Sequence, residues 1–138
     1  MADLDRFLAA QEKIWPVPLD EVTSGRKLSH WMWFIFPQLA ILGRSGTAKF
    51  YGIAGLWEAT DYLAHPVLGP RLVEISCSTL PHAGAGAERL LGHIDAMKLR
   101  SSMTLFEAVA SADPVFGKVL DGFYQGERCS LTLAELND

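Results

Sequence analysis

The sequence predicts an all-α fold, a compact single-domain bundle of about six to seven helices with little or no sheet. Apolar residues recur at three- and four-residue spacing along most of the chain. Prolines and glycines separate those periodic stretches. No two segments alternate polar and apolar residues as paired strands would.

Asp3 is placed to cap a first helix, whose apolar face is Leu4, Phe7, Leu8, Gln11 and Ile14. Pro16 and Pro18 break it, and Leu19 and Val22 suggest a short second helix closed by Gly25. From Ser29 to Gln38 the apolar residues run almost without interruption and fit neither period well. We expect a buried helix or irregular segment ending before Pro37, because the residue before a proline avoids the helical region. Gly43 to Thr47 reads as a glycine–serine turn. Ile53, Leu56, Trp57 and Leu63 predict a helix that stops near His65 and Pro66. Pro70 sits in the first turn of the next, with Leu72, Val73, Ile75 and Leu80 as its apolar residues.

Pro81 to Gly86 reads as a flexible loop, and Ala87 to Leu91 as a brief helix ended by Gly92. Asp95 is expected to cap a helix with Leu99, Met103, Phe106 and Val109 or Ala110 on its core face. Asp113 followed by Pro114 is a strong helix start, and Val115, Phe116, Val119, Leu120 and Phe123 give that helix its face. Ser130 is placed to cap a last short helix through Leu136.

With 138 residues, 49% hydrophobic and 20% charged, the chain has the size and balance of one globular domain, residues 1–138, without linker or repeat. Its formal net charge of -4 disfavours nucleic-acid binding, which draws on a basic surplus. The longest apolar window, Trp31 to Leu42, is interrupted by Pro37 and Gln38 and falls short of the roughly 20 residues of a membrane span. No membrane association is expected. The N-terminal stretch has acids where a secretory leader needs basic residues, so a cytoplasmic location is expected. Cys77 and Cys129 are then free thiols, with Cys77 packed in the core. His30, His65, His82 and His93 lack metal-ligand spacing, and neither a metal nor a cofactor is expected.

Two segments differ from plain scaffold. Ser29 to Gln38 gathers Trp31, Trp33, Phe34 and Phe36 around Ser29, His30 and Gln38. Buried Trp and His need hydrogen-bond partners, so a helix serving only as core seldom carries so many. The bland reading keeps the rings as core and His30 as a satisfied structural histidine. The functional reading makes His30 an acid, base or donor, since histidine is the side-chain type suited to proton transfer near neutral pH. In the second segment, Lys98, Ser101 and Ser102 fall three and four residues apart, on one helix face roughly opposite Met103 and Phe106. A cation with two hydroxyls suits a phosphate or carboxylate. The bland reading is a solvated polar face, although Ser-Ser is a weak choice in mid-helix. Hydrolase, metalloprotease, phosphate-loop and dinucleotide fingerprints are all missing from the sequence.

Three stretches carry a resemblance: Ser29 to Gln38 (SHWMWFIFPQ), Tyr62 to Leu72 (YLAHPVLGPRL) and Lys98 to Phe106 (KLRSSMTLF). Together they resemble a bacterial family, the domain of unknown function eighteen-ten, over roughly Leu4 to Leu136. The resemblance implies a compact helical fold and no established activity. Some members carry a calpastatin label that nothing in this sequence supports. Where members tend to have an aspartate, this chain has Cys129, so the resemblance assigns no role to an acid there.

These readings lead to a small-molecule site between the 29–38 segment and a helix over 95–110. The expected ligand is phosphorylated or nucleotide-like, with ADP-ribose and NAD-related compounds within the class. The residues expected to bind it are Ser29, Trp33, Gln38, Arg44, Lys98, Ser101, Ser102 and Thr104. If the site turns its ligand over, His30 is the candidate acid or base, with Gln38 orienting it. The competing reading is a protein-binding or regulatory module without chemistry, anchored by Trp15, Trp33 or Trp57 if these are exposed.

Overall fold

The computed structural model describes residues 3–137. Among them it forms ten α-helices: α1 Asp5–Glu12, α2 Val17–Thr23, α3 Met32–Ile35, α4 Gly46–Phe50, α5 Leu56–Ala64, α6 Leu68–Thr79, α7 Ala87–Leu91, α8 His93–Glu107, α9 Val115–Tyr124 and α10 Ser130–Leu136. Short 3-10 turns lie at Ala40–Leu42 and Leu80–Ala85. The fold is all-α as expected, but the helices outnumber the six to seven anticipated. Seven of them have seven residues or more. The others, α3, α4 and α7, are four or five residues long, too short to complete a periodic pattern.

The longest helix, α8, is the axis of the domain and packs against α5, α7, α9 and α10. Its second half, from Ser101 to Phe106, is buried on every side, which is how a helix at the centre of a bundle behaves. Phe106 sits between Tyr62 of α5, with ring centres 5.3 Å apart, and Phe116 of α9, at 6.0 Å. Phe7 of α1 meets the other side of this aromatic column edge-on through Tyr62, at 5.2 Å.

Local chemistry explains several boundaries. The Asp5 N–H donates to Asp3 Oδ1 at 3.3 Å ahead of α1. The Val115 N–H donates to Asp113 Oδ1 at 2.8 Å just ahead of α9, which begins at Val115 with Pro114 as its N-cap, one residue later than the sequence signal places it. Gly25, at φ +90°, supplies the left-handed residue after α2.

Other expectations need correction. Asp95 does not cap α8: the helix begins two residues earlier, after Gly92, and Asp95 lies in its first turn. Gly43 to Thr47 is only partly a turn, because Ser45 accepts the Ala48 N–H and starts α4. Pro81 to Gly86 is largely a 3-10 turn, not an open loop. Ile53 does not belong to α5. Its backbone pairs in parallel with the 38–40 segment, the Ala40 N–H donating to Ile53 O at 2.8 Å and the Ile53 N–H to Gln38 O at 2.9 Å. This isolated bridge needs Gly52, where a Cβ would stand 2.3 Å from Ala40 Cα. Cys77 is exposed, because α6 buries Leu72, Ile75, Ser76 and Thr79 and turns residue 77 outward. Cys129 is half-buried, and neither cysteine is bridged.

Candidate functional site

The 29–38 segment is anchored from one side by Glu21. This carboxylate accepts the N–H of Leu28 at 2.8 Å, the N–H of Ser29 at 2.9 Å, the Ser29 hydroxyl at 2.5 Å and the Trp31 indole N–H at 2.9 Å. Burial alone would raise its pKa, but the donors from Ser29, Leu28 and Trp31 outweigh burial and hold it down at about 2. Trp31 is therefore a fully buried ring with its one donor satisfied.

From this anchor the chain enters α3, turns at Pro37 and runs beside the first half of α8. Lys98 of α8 places its ammonium 5.1 Å from the centre of the Trp33 ring. The slot between Trp33, Gln38, Tyr51 and Lys98 holds only about 10 Å³, about enough for one water. Trp33 thus presents its ring to Lys98, leaving no room there for a stacked base.

A larger groove opens next to it. It has a volume of about 450 Å³ and runs between the 38–48 stretch, the first half of α8 and the start of α10. Gln38, Arg44, Lys98 and Ser101 line it, together with apolar Leu42, Ile94, Met97 and Leu131. That volume lies within the roughly 300–1,000 Å³ of small-molecule sites. Arg44 is exposed and makes no ion pair among the described residues. Lys98 lies 3.8 Å from Asp95 Oδ1, a loose pair, while the other oxygen of Asp95 binds Lys27 Nζ at 2.9 Å. Two cations therefore border the groove with spare capacity for an anion. Ile94, Met97 and Leu131 are each more than half exposed.

The structure brings Gln38, Arg44, Lys98 and Ser101 to one groove, with Trp33 behind Lys98. Ser29, Ser102, Thr104 and His30 lie outside it. Ser29 is held by Glu21. Ser102 is fully buried in the core, and its Oγ has no hydrogen-bond partner. Lys98, Ser101 and Ser102 therefore do not form a solvated polar face, because α9 and α10 cover that part of α8. Thr104 donates to Arg100 O at 2.8 Å and accepts the Cys129 N–H at 2.9 Å, which fastens the turn before α10. His30 is exposed and makes no hydrogen bond among the described residues. The exposed apolar lining residues that sequence reasoning misses include Ile94, Met97 and Leu131. Each carries a signal: it is a large apolar residue off the core face of its helix.

Ser101 also donates to Cys129 Sγ at 3.4 Å. Burial raises the pKa of that thiol, but the Ser101 hydroxyl and the neighbouring Thr132 and Leu131 N–H groups outweigh it and lower the pKa below the ordinary value. Among the described residues no group of three or more His, Cys, Asp or Glu converges as metal ligands would, and no helix is long and apolar enough to cross a membrane.

No protein of curated function matches the chain. Among solved structures, the chain is similar to the crystal structure of the conserved hypothetical protein Rv1873 from Mycobacterium tuberculosis, at 43% sequence identity and a TM-score of 0.96. The match covers 99% of this chain and 97% of that one. The model of one family, described as protein of unknown function (DUF1810), matches residues 1–136. The chain belongs to that family.

Proposed function

We propose that this protein binds a phosphorylated or nucleotide-like small molecule in the groove between the 38–48 stretch, α8 and α10. The observation that carries the reading is the lining of that groove. Arg44 and Lys98 stand at a cavity of about 450 Å³ whose other walls are largely apolar. An anion alone would not use the apolar walls, and an apolar ligand alone would not use the cations. A ring bearing a phosphate uses both: its phosphate pairs with Arg44 and Lys98 while its ring lies against Leu42, Ile94, Met97 and Leu131. Gln38 adds a polar contact at the same wall. His30 has no place in the groove, so the proposal is for binding and assigns no catalytic group.

A thermal-shift panel of AMP, sugar phosphates, ADP-ribose and NAD tests it. A compound present at about 100 times its Kd should stabilise the protein by about 2.7 kcal/mol. Loss of that shift in both Lys98→Ala and Arg44→Ala supports the site. A panel without any shift sinks it.

The second reading, a protein-interaction module, draws on the same exposed side chains. Ile94, Met97 and Leu131, with Trp57 at 55% exposed elsewhere on the surface, are apolar groups of the kind that anchor interfaces. Substituting Ile94 and Leu131 by Asp discriminates between the two. A small-molecule site then loses its ligand with no change in what co-purifies, whereas an interaction module loses a co-purifying partner.

A further inference from the structure

The adjoining face of α8 carries a second hollow, of about 520 Å³, bordered by α7, α8 and α9. It exists because the chain from Ala85 to Ala87 has almost no side chains to fill the space beside Ala96. Its apolar surfaces are these alanines with Phe123 and Met97, and Tyr124 closes one side. The Tyr124 hydroxyl is already committed to Ala96 O, at 2.5 Å, so the tyrosine presents its ring to the hollow's contents and not a free donor.

Two arginines line the same hollow. Arg89 is exposed and has no ion pair among the described residues. Arg100 stacks on Tyr124, its guanidinium carbon 5.3 Å from the ring centre, and keeps only a loose contact with Glu127 at 3.7 Å. Glu88 also lines the hollow; one of its oxygens lies 2.9 Å from His93 Nδ1, and it pairs with neither arginine. Neither arginine is held in a tight carboxylate pair among the described residues, and both stand beside an aromatic and aliphatic surface. Guanidinium groups bind carboxylate and phosphate through paired N–H donors.

We propose that this hollow is a second binding site, distinct from the groove of Arg44 and Lys98, for an aromatic ligand that carries a phosphate or carboxylate. The ring lies against Tyr124, Phe123 and Met97, and the anion bridges Arg89 and Arg100, displacing Glu127. The site stands whether or not the first groove binds anything, since it shares only Met97 with it.

The test is calorimetric titration of the full chain with phenyl phosphate, with inorganic phosphate as the comparison. Phenyl phosphate should bind more tightly than phosphate, because the ring adds contact. Arg89→Ala and Arg100→Ala should each weaken it about tenfold or more, the usual loss for a hydrogen bond to a charged group. Glu127→Gln should tighten it, a gain that a merely structural role for Arg100 would not produce. Arg44→Ala should leave it unchanged. Arg89 is a surface residue, so its variant keeps the test valid if Arg100→Ala is poorly folded. The proposal is overturned if phenyl phosphate does not bind at millimolar concentration or binds no better than phosphate. It is equally overturned if binding is insensitive to both arginine variants, or falls with Arg44→Ala and Lys98→Ala instead.

Discussion

Lys27 Nζ and Asp95 Oδ2 stand 2.9 Å apart, and this pair determines how free Lys98 is. Lys27 is nearly buried, with 8% of its side chain exposed, and lies over the Trp31 ring at 5.0 Å. It occupies one oxygen of Asp95 and leaves Lys98 a longer contact with the other. Lys27→Met should therefore cost about 1–3 kcal/mol of stability in urea denaturation, the penalty of leaving a partly buried carboxylate short of a partner. It should also weaken AMP binding, because Asp95 then draws Lys98 away from the groove. Unchanged stability would show that the pair is solvated and of little weight.

Acid should loosen the 21–31 strap through one residue. Glu21 has its pKa lowered from 4.5 to about 2 in the folded protein. A depressed folded pKa contributes stability that is fully present above the unfolded value and is lost as the pH falls towards the folded one. Denaturation midpoints measured from pH 5 down to about pH 2 should therefore fall less steeply in Glu21→Gln than in the wild type. The variant should be less stable at neutral pH. Parallel pH profiles would remove Glu21 as the cause.

Gly52→Ala tests the backbone bridge that positions the groove wall. The new methyl would stand 2.3 Å from Ala40 Cα, against backbone and not a movable side chain. We expect a loss of about 1–3 kcal/mol or more. Amide exchange at Ala40 and Ile53, whose N–H groups make the bridge, should speed up locally.

Phe106 is fully buried between Tyr62 and Phe116. Phe106→Ala should cost about 3–5 kcal/mol in chemical denaturation, since it leaves a hole where three helices meet. A smaller loss would show that α5, α8 and α9 collapse onto the space.

The two thiols should behave differently towards an alkylating reagent. Cys77 is exposed, and Cys129 is half-buried with a lowered pKa. Iodoacetamide followed by mass spectrometry should find Cys77 modified first at high pH, where exposure decides. As the pH is lowered, the rate at Cys129 should hold up further than at an ordinary thiol, because its pKa is lowered. Ser101→Ala should make the Cys129 profile steeper, because it removes a donor to the sulfur.

Helices with a full apolar stripe are legible in the amino-acid sequence. Periodicity alone assigns Leu99, Met103, Phe106, Val119 and Phe123 to the inner faces of α8 and α9, and all five are buried. Features made by contacts distant in sequence are not legible in this way. Periodicity groups Ile53 with α5, because nothing nearby shows that its partner is the 38–40 segment. Ser102 reads as a ligand-facing hydroxyl, because its burial depends on helices that come later in the chain. Gln38, Lys98 and Ser101 stand out by unusual local composition, and they share one groove with Arg44. The apolar half of that groove is harder to read. Ile94, Met97 and Leu131 fall off the core faces of their helices, and single exposed apolar residues are too common to mark a site until a cavity joins them.

Met97 walls both the groove beside Lys98 and the hollow beside Arg100. A methionine has three rotatable bonds and a polarisable sulfur, so it adapts to whatever touches it. The rotamer that an occupant of one hollow selects is the rotamer the other hollow must then accommodate. Two such sites are thermodynamically linked, and the linkage is reciprocal: each ligand changes the affinity of the other by the same factor. With a ligand in each, α8 would link the two hollows through this one side chain.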